Sequence, residues 1–496
     1  MIRRTVLLSL LVLMAGSVYA QVVVPTTTKS SLPSSPTAGT LNYVTDDVRG
    51  LWMYSATNSI GQAWFSLTGR VVNVEDFGAK GDGTTDSTQA FQNAAASMTG
   101  AVLFVPIGTY IVNDETTITG GVIGAGFGQS VIKVKSSSGF GDDEAVFHVT
   151  TEGTTFRDFS IDGNKSGNSG KRIFGIAFTG SASDAYVRRV HIKDMPALVA
   201  NNQVYAGDGI YIATTAGRID ISDVRMTGCM RTGIAIIAGS DISISHARIS
   251  AAELLGIDVE KDTDSQVIER LSFNDVEVDA STGPDNNKGG GISIDGLTTG
   301  SNFIKDVHLN NVTVRTSKLY GLRFISVDGA LVTNTNVYDS SLVGSGWFAN
   351  VYVYQRSKNI VFSGCRFANV ASTYAPYGLS VENHSSVSNI TVSGVQLGGA
   401  TGPLDDPGKK TKGLILNATA TWDPPSLGPG AAAATDITLT GAATTDACIG
   451  GLSSNTTTMI ITCSVISSNT VRLNLFNPQT GTIDLASGTA RVDLLR

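Results

Sequence analysis

IDISDVRM, Ile219 to Met226, is followed by ISISHARI from Ile242 and by LSFNDVEV from Leu271. Each of these eight-residue stretches puts apolar residues at positions 1, 3, 6 and 8, with a short polar pair between the halves. Six further copies extend the series: TTFRDFSI from Thr154, AYVRRVHI from Ala185, VHLNNVTV from Val307, LVTNTNVY from Leu331, IVFSGCRF from Ile360 and ITVSGVQL from Ile390. Successive copies start 23 to 36 residues apart. A supersecondary unit recurring at that interval is the mark of a solenoid, in which each unit buries its apolar face on its neighbours.

Alternation of apolar and polar residues makes each copy two short strands. The central Ser or Asn, as in Ser222, Ser245, Asn274, Asn310 and Asn334, suits a bend between them. A third strand precedes most copies and starts at a glycine: GIAF from Gly175, GIYI from Gly209, GIAI from Gly233, GIDV from Gly256, GISI from Gly291, GLRF from Gly321 and GLSV from Gly378. Three strands and three bends per turn define a parallel β-helix. With coils ~4.8 Å apart, nine of them build a rod about 45 Å long.

Composition agrees with a mostly β chain: 496 residues include 55 glycines. The formal charge is −7 with no long run of Lys or Arg, which argues against a nucleic-acid partner. Residues 1–20 have a basic start at Arg3 and Arg4, an apolar run and Val18-x-Ala20, the form of a secretory signal peptide. They predict an exported protein with no membrane anchor after cleavage. Residues 21–70 are rich in Thr, Ser and Pro before Trp52, Tyr54, Trp64 and Phe65, and carry no assignable chemistry. Of the four cysteines, Cys229 and Cys365 lie about five coils, or roughly 24 Å, apart and so are expected as buried thiols. Cys448 and Cys463 sit on what read as neighbouring strands, and export favours a bond between them.

The stretch VVNVEDFGAKGDGTTDSTQAFQNAAASMTGAVLFVPIGTYIV, Val71 to Val112, opens the rod. Asp86 is placed to N-cap a helix with Gln89 three residues on, and Ala90, Phe91, Ala94 and Ala95 give that helix an apolar face to close the first coil. Asp82 and Asp86 therefore read as structural. The run Asp76-Phe77-Gly78-Ala79-Lys80-Gly81-Asp82-Gly83, with Pro106-x-Gly108-x-Tyr110, resembles the opening motif of the pectate-lyase-like superfamily, in the branch of phage tailspikes, polygalacturonase-related proteins and rhamnogalacturonase- or epimerase-like enzymes. The resemblance implies an all-β, right-handed parallel β-helix with three strands per coil, an N-terminal capping helix and a glycan substrate. Residues 71–422 are assigned to the helix and the Pro- and Gly-rich residues 423–434 to a linker. Residues 435–496 alternate as antiparallel strands of a small β-sandwich. That ending is similar to modules appended to tailspikes, which implies homotrimerisation or substrate contact.

Strand alternation locates a candidate site. In GIDVE, Ile257 and Val259 turn inward while Asp258 and Glu260 turn out, and in GISID Ser293 and Asp295 turn out. Aligning coils by glycine sets Glu260 beside Asp295 and Asp258 beside Ser293, with carboxyls roughly 5 Å apart, the spacing of a retaining glycosidase. Repulsion among three carboxylates raises at least one pKa, as a general acid requires. Arg323 falls beside Ser293 in the next coil, and Arg231 precedes Gly233; either grips an acidic group. Tyr211, Tyr352 and Tyr354 stand outward to stack on sugars. The longest insertions, Pro196 to Asp208 and Asp279 to Gly290, bracket the patch and read as functional walls, with Asp208 at the inner end of the first. The five histidines do not line up with these acids and read as structural.

Neither a Gly-His-Gly element nor Arg-x-Pro-x-x-Arg occurs, so plant pectin is disfavoured. The expectation is a secreted or virion-associated depolymerase acting by glycoside hydrolysis on an extracellular glycan. Glu260 and Asp295 then form the acid and nucleophile pair, Asp258 tunes it, and Arg231, Arg323, Tyr211, Tyr352, Tyr354 and Asp208 bind substrate. No cofactor is required, although a stacked carboxylate pair is also an arrangement for Ca²⁺. The competing readings are β-elimination in the same groove, which makes the protein a lyase, and a non-catalytic glycan-binding adhesin.

Overall fold

A computed structural model describes residues 71–98, 101–200, 203–279, 289–340, 349–370, 375–399, 402–413, 415–454, 456 and 458–495, with four short strands upstream between Thr26 and Ser66. The signal-peptide reading of residues 1–20 and most of the second insertion, 280–288, lie outside the described residues. Among the described residues no helix is long and apolar enough to cross a membrane.

The repeat becomes a stack of parallel rungs. Ile219, Ile242, Leu271, Val307, Ala330, Ile360 and Ile390 pair in one continuous ladder, and all seven are buried. Apolar side chains from three such sheets fill the interior, which is how short strands of alternating pattern escape a half-buried, marginal state. The copy read from Leu331 starts one residue earlier, at Ala330: Leu331 is 38% exposed, whereas Val332 and Val337 are buried. Val332 and Val337 set that phase, because a one-residue slip would turn both outward.

The bend also differs from the sequence reading. The left-handed residue is the fifth of each copy: Asp158, Arg189, Asp223, His246, Asp275, Asn311, Asn334, Gly364 and Gly394 all have φ between 49° and 65°. Of the polar residues expected to bend the chain, only Asn334 does so. Asp, Asn and Gly bear this conformation best; Arg189 and His246 adopt it at a cost offset by the ladder on both sides.

Close approach explains the glycine that starts the first strand of each coil. A Cβ on Gly256 would stand 2.2 Å from Val278 Cγ1 and 2.8 Å from the carbonyl oxygen of Gly291. One coil uses Asn350 instead, its side chain buried and tied to Ser340 N (3.1 Å) and Asn369 Oδ1 (3.2 Å).

The helix Thr88–Ala96 caps the first coil with Ala90, Phe91, Ala94 and Ala95 buried. Ser87 occupies the cap position, and Asp86 serves it from one residue earlier, accepting from Thr88 N at 3.1 Å. Gln89 turns to Asn93 rather than back to the cap. At the other end, two three-stranded antiparallel sheets face one another. The sequence reading closes the rod at Trp422, but Ile415–Trp422 pairs antiparallel with Gly488–Leu495 and so forms part of this module. Cys448 and Cys463 are disulfide-bonded, and they join the two facing sheets rather than adjacent strands of one. Cys229 and Cys365 are buried thiols.

Candidate active site

One row of outward positions on the first sheet runs through successive coils as His148, Ala177, Tyr211, Ala235, Asp258, Ser293, Arg323, Tyr352, Ser380 and Asp405. A second row, two residues on, carries Glu260, Asp295, Ile325 and Tyr354. Glu260 is thus the ladder neighbour of Asp295, and Asp258 that of Ser293. Period-2 alternation and a shared glycine register are sufficient to create this apposition from residues 35 apart in sequence.

Arg231 organises the acids. Its Nη1 donates to Asp208 Oδ2 at 2.9 Å, and its Nη2 reaches Asp258 Oδ2 at 3.3 Å and Glu260 Oε2 at 3.5 Å. Asp208 is wholly buried, so it positions Arg231 instead of meeting a ligand. Asp258 also differs from expectation: it occupies an outward row, yet only 3% of it is exposed. Glu260 is the accessible member, with 45% of its side chain in contact with solvent.

Their environments push these carboxyls up. Burial comes first for Asp258, followed by the charge of Glu260, and holds its pKa well above the usual carboxylate range against the pull of Arg231. For Glu260 burial again leads; Asp295 and Asp262 also raise it, and Arg231 opposes them. Asp208 is raised by burial, with Arg231 opposing.

The next coil holds a second set. Arg323 Nε contacts Ser293 Oγ at 3.0 Å and Asp295 Oδ1 at 3.1 Å, while its Nη2 pairs with Asp295 Oδ2. Tyr320 backs this arrangement, with its ring 4.4 Å below the Arg323 guanidinium and its hydroxyl 3.3 Å from Ser293 Oγ. Tyr352 and Tyr354 follow one coil on, their rings stacked at 5.3 Å. On the other side Tyr211 lies flat on Phe174, with centroids 4.4 Å apart and planes 10° from parallel. Among the described residues no group of His, Cys, Asp and Glu is arranged to hold a metal ion.

Sequence reasoning missed two features. His148, set aside with the other histidines, stands in the same outward row as Asp258 and is bonded to Glu115 Oε1 at 2.9 Å and Thr179 Oγ1 at 2.7 Å. The first insertion folds into a hairpin, Leu198–Ala200 with Gln203–Tyr205, that carries Tyr205 toward Arg172. Continuing the glycine register one coil upstream of Gly175 would have found His148.

Residues 71–281 match the family model for rhamnogalacturonase A/epimerase, pectate lyase-like. The pre-neck appendage protein of Bacillus phage phi29 is 30% identical over 181 residues, 33% of this chain and 21% of that protein. Alginate lyase 7 of Azotobacter vinelandii is 34% identical over 118 residues, 20% of this chain and 13% of its own length. The chain therefore spans about a fifth or less of these relatives. Among solved structures, full-length tailspike protein 2 from Escherichia coli O157:H7 bacteriophage CAB120 shares the fold. It superposes with a TM-score of 0.54 at 12% identity, covering 92% of this chain and 70% of that one.

Proposed function

We propose, for a chain whose residues 71–281 are of the pectate-lyase-like superfamily in its rhamnogalacturonase A/epimerase form, that it depolymerises an extracellular polysaccharide by glycoside hydrolysis along the first sheet. It does so as an exported or virion-borne protein. The observation that carries this reading is the pairing of Glu260 and Asp295 across one ladder step in unlike surroundings. Glu260 has its carboxyl pushed up and is open to solvent, whereas Asp295 is matched by the Arg323 guanidinium.

Neighbouring rungs ~4.8 Å apart suit the roughly 5 Å separation at which a second carboxylate attacks carbon directly. Glu260 gives its proton to the glycosidic oxygen as the bond to the anomeric carbon breaks. Asp295 takes that carbon as an ester, and water, deprotonated by Glu260, later releases the sugar. Arg231 and Asp258 hold Glu260 in place, and Tyr211, Tyr352 and Tyr354 receive sugar faces on either side. The C-terminal sandwich serves assembly as a homotrimer, which sedimentation of the full chain tests.

Release of reducing ends from a panel of capsular and plant polysaccharides tests the reaction. Glu260→Gln and Asp295→Asn should each lower the rate by about 10²- to 10⁴-fold. Full activity in both variants removes the site assignment, and binding without any product favours a glycan-binding spike. The likeness to alginate lyase 7 favours a second reading, β-elimination, whose unsaturated products absorb in the ultraviolet.

A further inference from the structure

N-terminal to the acid cluster, a cavity of about 490 Å³ opens on the same face. Its lining includes Glu115, His148, Arg172, Tyr205, Tyr211 and Arg231, so it shares Arg231 with the acids. Resting on the depolymerase reading of that face, we propose that this cavity is a subsite for an uncharged or amino-bearing sugar of the glycan and that it rejects uronic acids.

Shape and apolar character point to a sugar. Tyr211 is fixed flat by Phe174 behind it, and its ring lines the cavity. A rigid aromatic face with a hydroxyl at its edge receives the C–H face of a pyranose at little entropic cost. Tyr205, on the hairpin formed by the first insertion, stands across from it as a wall. His148 and Thr179 add a polar floor, joined by the 2.7 Å bond between them.

Charge decides which sugar. Each basic group lining the cavity already has a carboxylate partner: His148 has Glu115 at 2.9 Å, Arg172 has Asp143 and Asp142 at 3.7 Å while its Nε stays buried without a hydrogen-bond partner among the described residues, and Arg231 has Asp208, Asp258 and Glu260. Asp262 lines the cavity as well, and among the described residues no cation lies within ion-pairing distance of it. The lining itself carries three carboxyls, Glu115, Asp143 and Asp262, against His148, Arg172 and Arg231, and the two arginines are further matched from behind the lining by Asp142, Asp208, Asp258 and Glu260. A uronate entering here would have to displace an existing pair, with the carboxyl of Asp262 facing it. Hydroxyls find acceptors, and an ammonium finds both acceptors and countercharge. The likeness to an alginate lyase would carry the opposite preference.

Titration calorimetry on the full chain near neutral pH, with equal-length oligomers of glucosamine, glucose and mannuronate, tests this. The expected order is glucosamine tightest, then glucose, with mannuronate at least about tenfold weaker than glucosamine, and with added salt weakening glucosamine alone. Tyr211→Ala should lower the affinity for the first two by about tenfold, and Tyr205→Ala reads the same loss from outside the core if Tyr211→Ala does not fold. Tightest binding by mannuronate, no response to either variant, or no binding of any oligomer overturns the proposal. A preserved ranking without cleavage by the unmodified protein would sink the depolymerase reading alone, and cleavage with an inverted ranking would sink the subsite alone.

Discussion

Substituting Arg231 by Met keeps the length and packing of the side chain and removes the cation shared by Asp208, Asp258 and Glu260. The three ion pairs that this cation makes span 2.9, 3.3 and 3.5 Å, and the first two partners are buried. Stripping one partner from a buried pair costs about 3–5 kcal/mol, consistent with about 4 kcal/mol for unit charges 4 Å apart at an effective dielectric near 20. For a chain of this size that corresponds to a fall in Tm of roughly 6–10 °C, at about 2 °C per kcal/mol. The sign with pH follows from the raised carboxyls of Asp208 and Asp258, buried first and foremost. A group raised in the folded state contributes stability below its unfolded pKa and loses it as pH rises through the folded value. Without Arg231 these carboxyls rise further, so the deficit is largest at the upper end of a pH series and shrinks toward its lower end, where neutral acids need no partner. Asp208→Asn added to Arg231→Met should restore part of the loss at the higher pH. Thermal unfolding by calorimetry across that range reads both effects. A deficit under about 1 kcal/mol, or one equal at both ends, would refute the role given to Arg231.

Three further outcomes are open to measurement. If Glu260 is the acid, kcat/KM falls as pH rises through its pKa, which burial and Asp295 set above the ordinary 4.5, and Glu260→Gln abolishes that limb. Gly256→Ala should cost about 1–3 kcal/mol because its Cβ meets Val278 Cγ1 at 2.2 Å. The cost should drop by about 0.5–3 kcal/mol when measured in a Val278→Ala background, in a double-mutant cycle of unfolding free energies. Cys448→Ser opens a disulfide closing a 15-residue span and should destabilise the C-terminal module by about 3 kcal/mol, visible as a shift of its own unfolding transition in non-reducing buffer.

The β-helix is legible because inward residues repeat at every coil, and packing tolerates no exception among Ile219, Ile242, Leu271, Val307, Ile360 and Ile390. Glycine fixes the register between coils for the same steric reason, and that alone sets Glu260 opposite Asp295. Position within a row is readable; cover over it is not. Asp258 lies in an outward row and is buried all the same, because Arg231 and its partners close over it. The bends fall one residue from where the pattern puts them, since Ser222 and Asp223, or Ser245 and His246, are both polar and only φ separates them. The copy at Ala330 is out of phase with its reading because Leu331 is apolar yet faces solvent, a local conflict that the ladder overrides. Nothing in the sequence announces that Tyr205 returns on a hairpin to wall the cavity, since that depends on the three-dimensional path of an insertion.

A crystal of Glu260→Gln soaked with an oligosaccharide drawn from the polymer that the active protein cleaves bears most directly on the paired-carboxylate site. The glycosidic oxygen should lie within hydrogen-bonding reach of residue 260, with the anomeric carbon facing Asp295 and the chain continuing over Tyr211. Density for the sugar on the other two sheets or on the C-terminal sandwich, with the face between residues 260 and 295 vacant, would contradict it.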